Sequence, residues 1–230
     1  MSERQWLAAC LLFCAVAGRV ACAADLSSLS NADASRGLKQ ALNQGIDQAV
    51  AKLGFTDGFL GNPAVKIPLP PTLAKAGGML RMLGMGRQTD ALVVAMNRAA
   101  EQAVPEGKQI LTQALHQMTL ADAKAILSGS DDAATQYFRR VAYAPLQAKF
   151  LPIVSRAMQQ VGSTERYDAL AAKAAAVGMM QPDQASIESY VTRKTLDGLF
   201  LMMAQEERAI RQDPLGQASS LLRKVFGAAH

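Results

Sequence analysis

The chain has 230 residues, of which 50% are hydrophobic, 5% aromatic and 19% charged. That length allows one domain or two, the apolar fraction is ample for a packed core, and the scarcity of aromatics favours helix over sheet. The net charge of +5 is mild and spread without a basic run or interleaved aromatics, which leaves nucleic-acid binding unsupported and allows only weak attraction to anionic lipid headgroups.

The first residues read as a secretory signal peptide over 1–23. Arg4 supplies a positive start, Trp6 to Ala17 is an apolar run, and Ala21-Cys22-Ala23 offers a cleavage site of small residues. The run is too short to span a bilayer. Export to the periplasm is the expectation. Lipid anchoring at Cys22 is the less favoured variant, because Arg19 fits poorly three residues ahead of a lipid-attachment cysteine. Cys10, Cys14 and Cys22 are the only cysteines. Cleavage after Ala23 leaves no disulfide, thiol nucleophile or thiolate metal site. Residues 24–33 form a polar lead-in, and 34–230 read as a single helical domain.

The first helix is expected from Ala34 to Leu53, with Leu38, Leu42, Ile46 and Val50 on one face and Gly54 ending it. Turn formers follow from Phe55 to Pro63. Then comes Val65-Lys66-Ile67-Pro68-Leu69-Pro70-Pro71, where each proline forces its predecessor out of helical geometry. Val65, Ile67 and Leu69 alternate along an extended segment, so the expectation is a rigid strap pressed on the core. The other reading is an exposed proline-rich ligand for another domain. A brief pairing of the strap with Phe59-Leu60 is a further expectation, giving an extended Pro-rich region near 59–71.

Helices are then expected at 73–85, ended by Gly84 and Gly86, at 89–104, and at 105–118, where Pro105 opens a new element. Thr119 to Asp122 resembles a capping box that starts a short helix to Leu127. Ser130 is the expected N-cap of the next helix, with Asp131 and Asp132 in its first turn. That helix runs to about Ala144, and Pro145 and Pro152 act as new starts or kinks beyond it. Further helices are expected at 165–177, from 183 or 186 to 211, and at 215–226. The fold class is all-α, a single domain of about eight to ten helices.

Few residues announce chemistry. His116 sits in an amphipathic helix without a visible nucleophile or orienting partner, and His230 is terminal. Glu206-Glu207 reads as part of a solvated helix end, with Glu207 spaced to pair with Arg211. Met79, Met82 and Met85 recur every third residue, a pattern that permits core filling, a groove for a lipid or partner helix, or thioether ligation of copper(I). Core filling is the preferred reading. Asp131, Asp132, Tyr137 and Asp197 are the places to look for carboxylate chemistry, and Asp131-Asp132 reads first as capping. With the three methionines and Phe138 these residues make up the candidate ligand or partner surface. No catalytic residue, metal ligand or cofactor is assigned.

The stretches VKIPLP (65–70), MNRAAEQAVP (96–105), MTLADAKAIL (118–127), DDAATQYF (131–138), FLPIV (150–154), YVTRKTLDGLF (190–200) and RQDPLGQASSLLRKVFG (211–227) together resemble the bacterial domain-of-unknown-function family 4197. The resemblance implies an exported, mostly helical protein of Gram-negative bacteria with no established activity. Met82 and Met85 depart from the family's usual residues, which weakens the copper reading. The functional expectation is a non-enzymatic envelope protein that binds a partner or plays a structural role. The alternatives are a carrier or sensor of an apolar ligand and a hydrolase using carboxylates.

Overall fold

A computed structural model describes residues 31–176 and 186–212. These residues form seven helices and no strand: α1 (Asn31–Leu53), α2 (Pro71–Met82), α3 (Gly86–Gln117), α4 (Leu120–Leu127), α5 (Ala133–Gln160), α6 (Ser163–Ala176) and α7 (Ile187–Gln212). The all-α expectation holds, but the described residues form seven helices where eight to ten were expected of the chain. The excess arose from reading prolines as helix starts. Pro105 lies inside α3, and Pro145 and Pro152 lie inside α5. A proline deletes one N–H and crowds the preceding turn. Packing outweighs that cost here, because α3 and α5 lie side by side along the middle of the molecule. The signal peptide, the lead-in up to residue 30 and the helix expected at 215–226 lie outside the described residues.

The four long helices α1, α3, α5 and α7 bury one another, while α2, α4 and α6 pack around them. Phe59, Phe138, Phe150 and Phe200 are fully enclosed in the core. Close approach is set by glycine at two crossings. A Cβ on Gly107 of α3 would lie 2.8 Å from the Phe150 ring and 2.9 Å from Leu146 of α5. A Cβ on Gly198 of α7 would lie 2.7 Å from the Phe59 ring, so this glycine lets the loop after α1 sit against the last helix.

Two helix starts follow the local side-chain chemistry. Pro71 opens α2 at its first turn, where its missing N–H costs nothing. Thr119 and Asp122 form the full capping box: the Thr119 hydroxyl accepts from the Asp122 N–H at 3.1 Å, and the Asp122 carboxylate accepts from the Thr119 N–H at 3.1 Å. The helix expected to end near Met85 stops at Met82, and the next begins at Gly86.

Val65 ends a turn, and residues 66–70 run on outside any helix or turn, as the prolines require. Val65 and Ile67 are buried, and Leu69 packs against the core from a half-buried position. The strap therefore lies on the core. Pairing between the strap and Phe59-Leu60 does not form. The Phe59 and Leu60 N–H groups and both backbone groups of Ile67 go to side chains of α3 instead.

Candidate functional site

Four polar residues on α3 and α7 carry most of the buried hydrogen bonding. Asn97 and Glu101 stand one helical turn apart on α3, and both are buried. Asn97 treats the strap as a strand neighbour would. Its Oδ1 accepts from the Ile67 N–H at 2.8 Å, and its Nδ2 donates to the Ile67 carbonyl at 2.9 Å. The same Nδ2 donates to the Val93 carbonyl at 2.8 Å, so the amide is fully used. The Tyr190 hydroxyl of α7 donates to the Pro68 carbonyl at 3.1 Å.

Glu101 holds the turn before the strap. Its Oε1 accepts from the N–H groups of Phe59 and Leu60 at 3.0 and 3.1 Å. Arg98 bridges Glu101 and Asp57 at 2.7 Å each, and both carboxylates raise the basicity of the guanidinium. Asp57 has φ 72°, a left-handed conformation that aspartate tolerates better than most side chains.

Glu207 of α7 does the same work at the start of α5. Its carboxylate accepts from the N–H groups of Ala134 and Thr135 at 2.9 Å each and from the Thr135 hydroxyl at 2.9 Å. Arg211 closes the group, donating to Glu207 at 3.0 Å and to the Ile126 carbonyl at 2.9 Å. A distant helix thus caps α5. Asp132 occupies the N-cap position but makes no cap bond with its side chain. It accepts from the Ser130 hydroxyl at 2.7 Å and from Gln136 at 2.9 Å, and these bonds hold its pKa below the ordinary carboxylate value. Ser130 therefore supports Asp132 rather than the helix end.

Glu206 and Glu207 correct the expectation of a wet helix end. Each is only 6% exposed. Glu206 accepts from Lys52 of α1 at 2.6 Å. The spacing of Glu207 to Arg211 did form the expected pair.

The candidate surface residues divide in the same way. Tyr137 and Phe138 are core residues, not surface ones. The Tyr137 hydroxyl donates to the Ala114 carbonyl at 3.0 Å, and burial raises its pKa. Asp131 is exposed, and Asp197 lies half-exposed between Arg139 at 3.9 Å and Lys194 at 3.8 Å. Core filling by the three methionines holds for Met85, which packs partly buried against the core, and fails for Met82. Leu73, Ala76 and Leu80 make the buried face of α2, while Met82 is 77% exposed. Met79 and Met85 are half-buried. The structure does not gather the three sulfurs on one helix face, since α2 ends at Met82.

Two spaces bear on ligand binding. A cavity of about 20 Å³ lies between Leu42, Phe138, Met203 and Glu207, room for one water at most. A trough of about 770 Å³ runs along α3 past Glu106, Lys108, Gln109 and His116. It is shallow and lined by long polar side chains that present much of their aliphatic surface, and its lysine and glutamate also reach Asp47 at 2.8 Å and Lys149 at 3.3 Å. Among the described residues, no three His, Asp or Glu side chains converge to hold a metal, and no helix is long and apolar enough to cross a membrane.

Asn97, Glu101, Glu206 and Glu207 were missed as structural polar residues. The available signal was position. Asn97 and Glu101 fall among Met96, Ala99, Ala100, Ala103 and Val104, a run apolar enough that an interleaved polar side chain must find a buried partner.

The family model described as "Protein of unknown function (DUF4197)" matches residues 28–227. The chain belongs to that family. No curated protein and no solved structure matches it.

Proposed function

We propose that the protein is a non-enzymatic envelope protein, exported by its N-terminal segment, whose work is to hold a rigid helical surface for a partner. One observation carries this reading. The buried carboxylates of Glu101, Glu206 and Glu207 are each committed to a turn, a lysine or a helix start. Their lone pairs are spent on holding the fold, which is the opposite of a poised acid or base. The remaining candidate carboxylates, Asp131, Asp132 and Asp197, lie at the surface or half-exposed. Export rests on Arg4, the Trp6 to Ala17 run and Ala21-Cys22-Ala23.

Crosslinking in intact cells followed by mass spectrometry tests the partner. A single envelope protein recovered repeatedly supports the proposal, and repeated recovery of the bare chain counts against it. Sequencing the N-terminus of the purified protein tests export. A chain starting at Ala24 supports it, a lipid-bearing Cys22 would replace soluble export by anchoring, and an intact Met1 would overturn it. The carrier alternative predicts a mass excess matching a lipid in native mass spectrometry. The hydrolase alternative predicts activity lost in Asp131→Asn or Asp197→Asn.

A further inference from the structure

Charges of both signs are interspersed along the chain, except in one interval that lacks acid. Between Asp57 and Asp90 there is no acidic residue, while Lys66, Lys75, Arg81 and Arg87 all fall in that interval. These residues supply four of the five net positive charges, and all four are exposed. The interval spans the strap, α2 and the turn into α3.

That turn is also the most exposed apolar point described. Met82 is 77% and Leu83 53% exposed, and Gly84 follows with φ 76°. The outward face of α2 leads up to it. Pro71, Ala74, Gly78 and Met82 are all exposed and follow helical spacing, with Lys75 on one side of this stripe and Arg81 on the other. A Cβ on Gly77 or Gly78 would meet nothing within 4 Å beyond its own chain neighbours and the backbone of α2. Arg81 has Asp90 at 3.8 Å, but both side chains are more than two-thirds exposed and water screens the pair. The neighbouring α6 adds no net field, because Glu165 and Asp168 are matched by Arg166 and Lys173.

We propose that the α2–α3 turn is a lipid-docking surface: Met82 and Leu83 enter the headgroup layer of an anionic bilayer while Lys75, Arg81 and Arg87 pair with lipid phosphates. Long apolar side chains at a tip, small residues behind them and cations at the flanks are what interfacial insertion needs. The cations keep their charge in the phosphate layer while their aliphatic stems lie along the apolar side chains. The acid-free interval makes the complementarity specific to an anionic surface. The docking needs no protein partner and stands apart from the function proposed above.

The test is co-sedimentation of the purified protein with vesicles. Equal parts phosphatidylglycerol and phosphatidylethanolamine should carry the protein down at low salt, and pure phosphatidylcholine should not. Each of Lys75→Gln and Arg81→Gln should weaken binding about fivefold. Met82→Asp with Leu83→Asp should abolish it without moving the urea midpoint, since both side chains are exposed. A Leu83→Trp variant should show a blue-shifted emission on the anionic vesicles only. Failure to sediment, or full binding by the Met82→Asp/Leu83→Asp variant, overturns the proposal. A photo-crosslinker at Leu83 that captures a protein rather than lipid in cells overturns it in favour of a protein-binding tip.

Discussion

Glu101 and Glu207 are built alike and work on different material. Each is a buried glutamate on a long helix, each accepts two successive backbone N–H groups, and each has an arginine within one turn. Glu101 holds Phe59 and Leu60, residues of an irregular turn whose amides have no helical carbonyl to use. Glu207 holds the first turn of α5, where the helix dipole also favours a negative charge. Their arginines differ as well. Arg98 is 34% exposed and shares itself with Asp57, whereas Arg211 is 11% exposed and reaches into the end of α4. The lesson is that a capping residue can be supplied from 73 residues away. The cost of losing it then depends on how deeply its cation is buried.

The largest effect should come from the strap that the first clamp secures. Ile67→Asp places an unpaired carboxylate at a site 1% exposed. It should abolish cooperative thermal unfolding, a loss above about 4 kcal/mol. A circular-dichroism melt close to that of the parent would show that the strap does not matter to the core. The two glutamates come next. Glu207→Ala should cost about 3–5 kcal/mol, because two buried amides and the Thr135 hydroxyl lose their acceptor and the carboxylate is taken from beside the nearly buried Arg211 guanidinium. Glu101→Ala should cost less, about 2–3 kcal/mol, since Arg98 keeps Asp57 and water. Urea titrations of the pair decide the matter, and equal losses would erase the distinction drawn from cation burial.

Smaller effects sharpen the same contrast. Asn97→Leu should cost about 1–3 kcal/mol by leaving the Ile67 N–H and carbonyl unpaired. Hydrogen exchange at Ile67 should accelerate, while the Ala134 amide under Glu207 stays protected. Thr119→Ala removes an ordinary local cap and should cost about 1 kcal/mol. It has a second readout. Asp122 is held below the ordinary value of 3.8 chiefly by accepting from the Thr119 hydroxyl and N–H. A lowered folded pKa gives stability that is fully present above 3.8 and is lost as pH falls through the folded value. In Thr119→Ala the Asp122 titration, followed by carboxyl NMR, should move back up toward 3.8.

These cases show what a sequence of this kind discloses. The Thr119–Asp122 cap, Pro71 at a helix start and the Glu207–Arg211 spacing are local, so residue identity and spacing were enough. Apolar periodicity located most of the helices for the same reason. Pro105, Pro145 and Pro152 misled because helix continuity through a proline depends on the neighbouring helices, which no local window contains. Glu206 and Glu207 looked like a solvated face because their partners, Lys52 and the start of α5, are 154 and 73 residues away. Tyr137 and Phe138 were grouped with the acidic pair Asp131-Asp132 just before them, and only the packing of α5 on its neighbours puts both rings inside.

The reach of α7 has a consequence for how the chain assembles. Tyr190 fastens the strap across 122 residues, Glu206 fastens α1 across 154, and Glu207 fastens α5 across 73. A chain leaving the ribosome N-terminus first can form α1, α3 and α5 as separate helices. Those three also pack on one another, but the polar ties that α7 makes to the strap, α1 and α5 close only once residue 207 has emerged. Synthesis therefore runs almost to completion before the buried polar groups of the strap, α1 and α5 are all partnered, and the closure entropy of those long loops falls on one late step. A chain stalled before Tyr190 should be held by chaperones or degraded, not stored as a folded fragment.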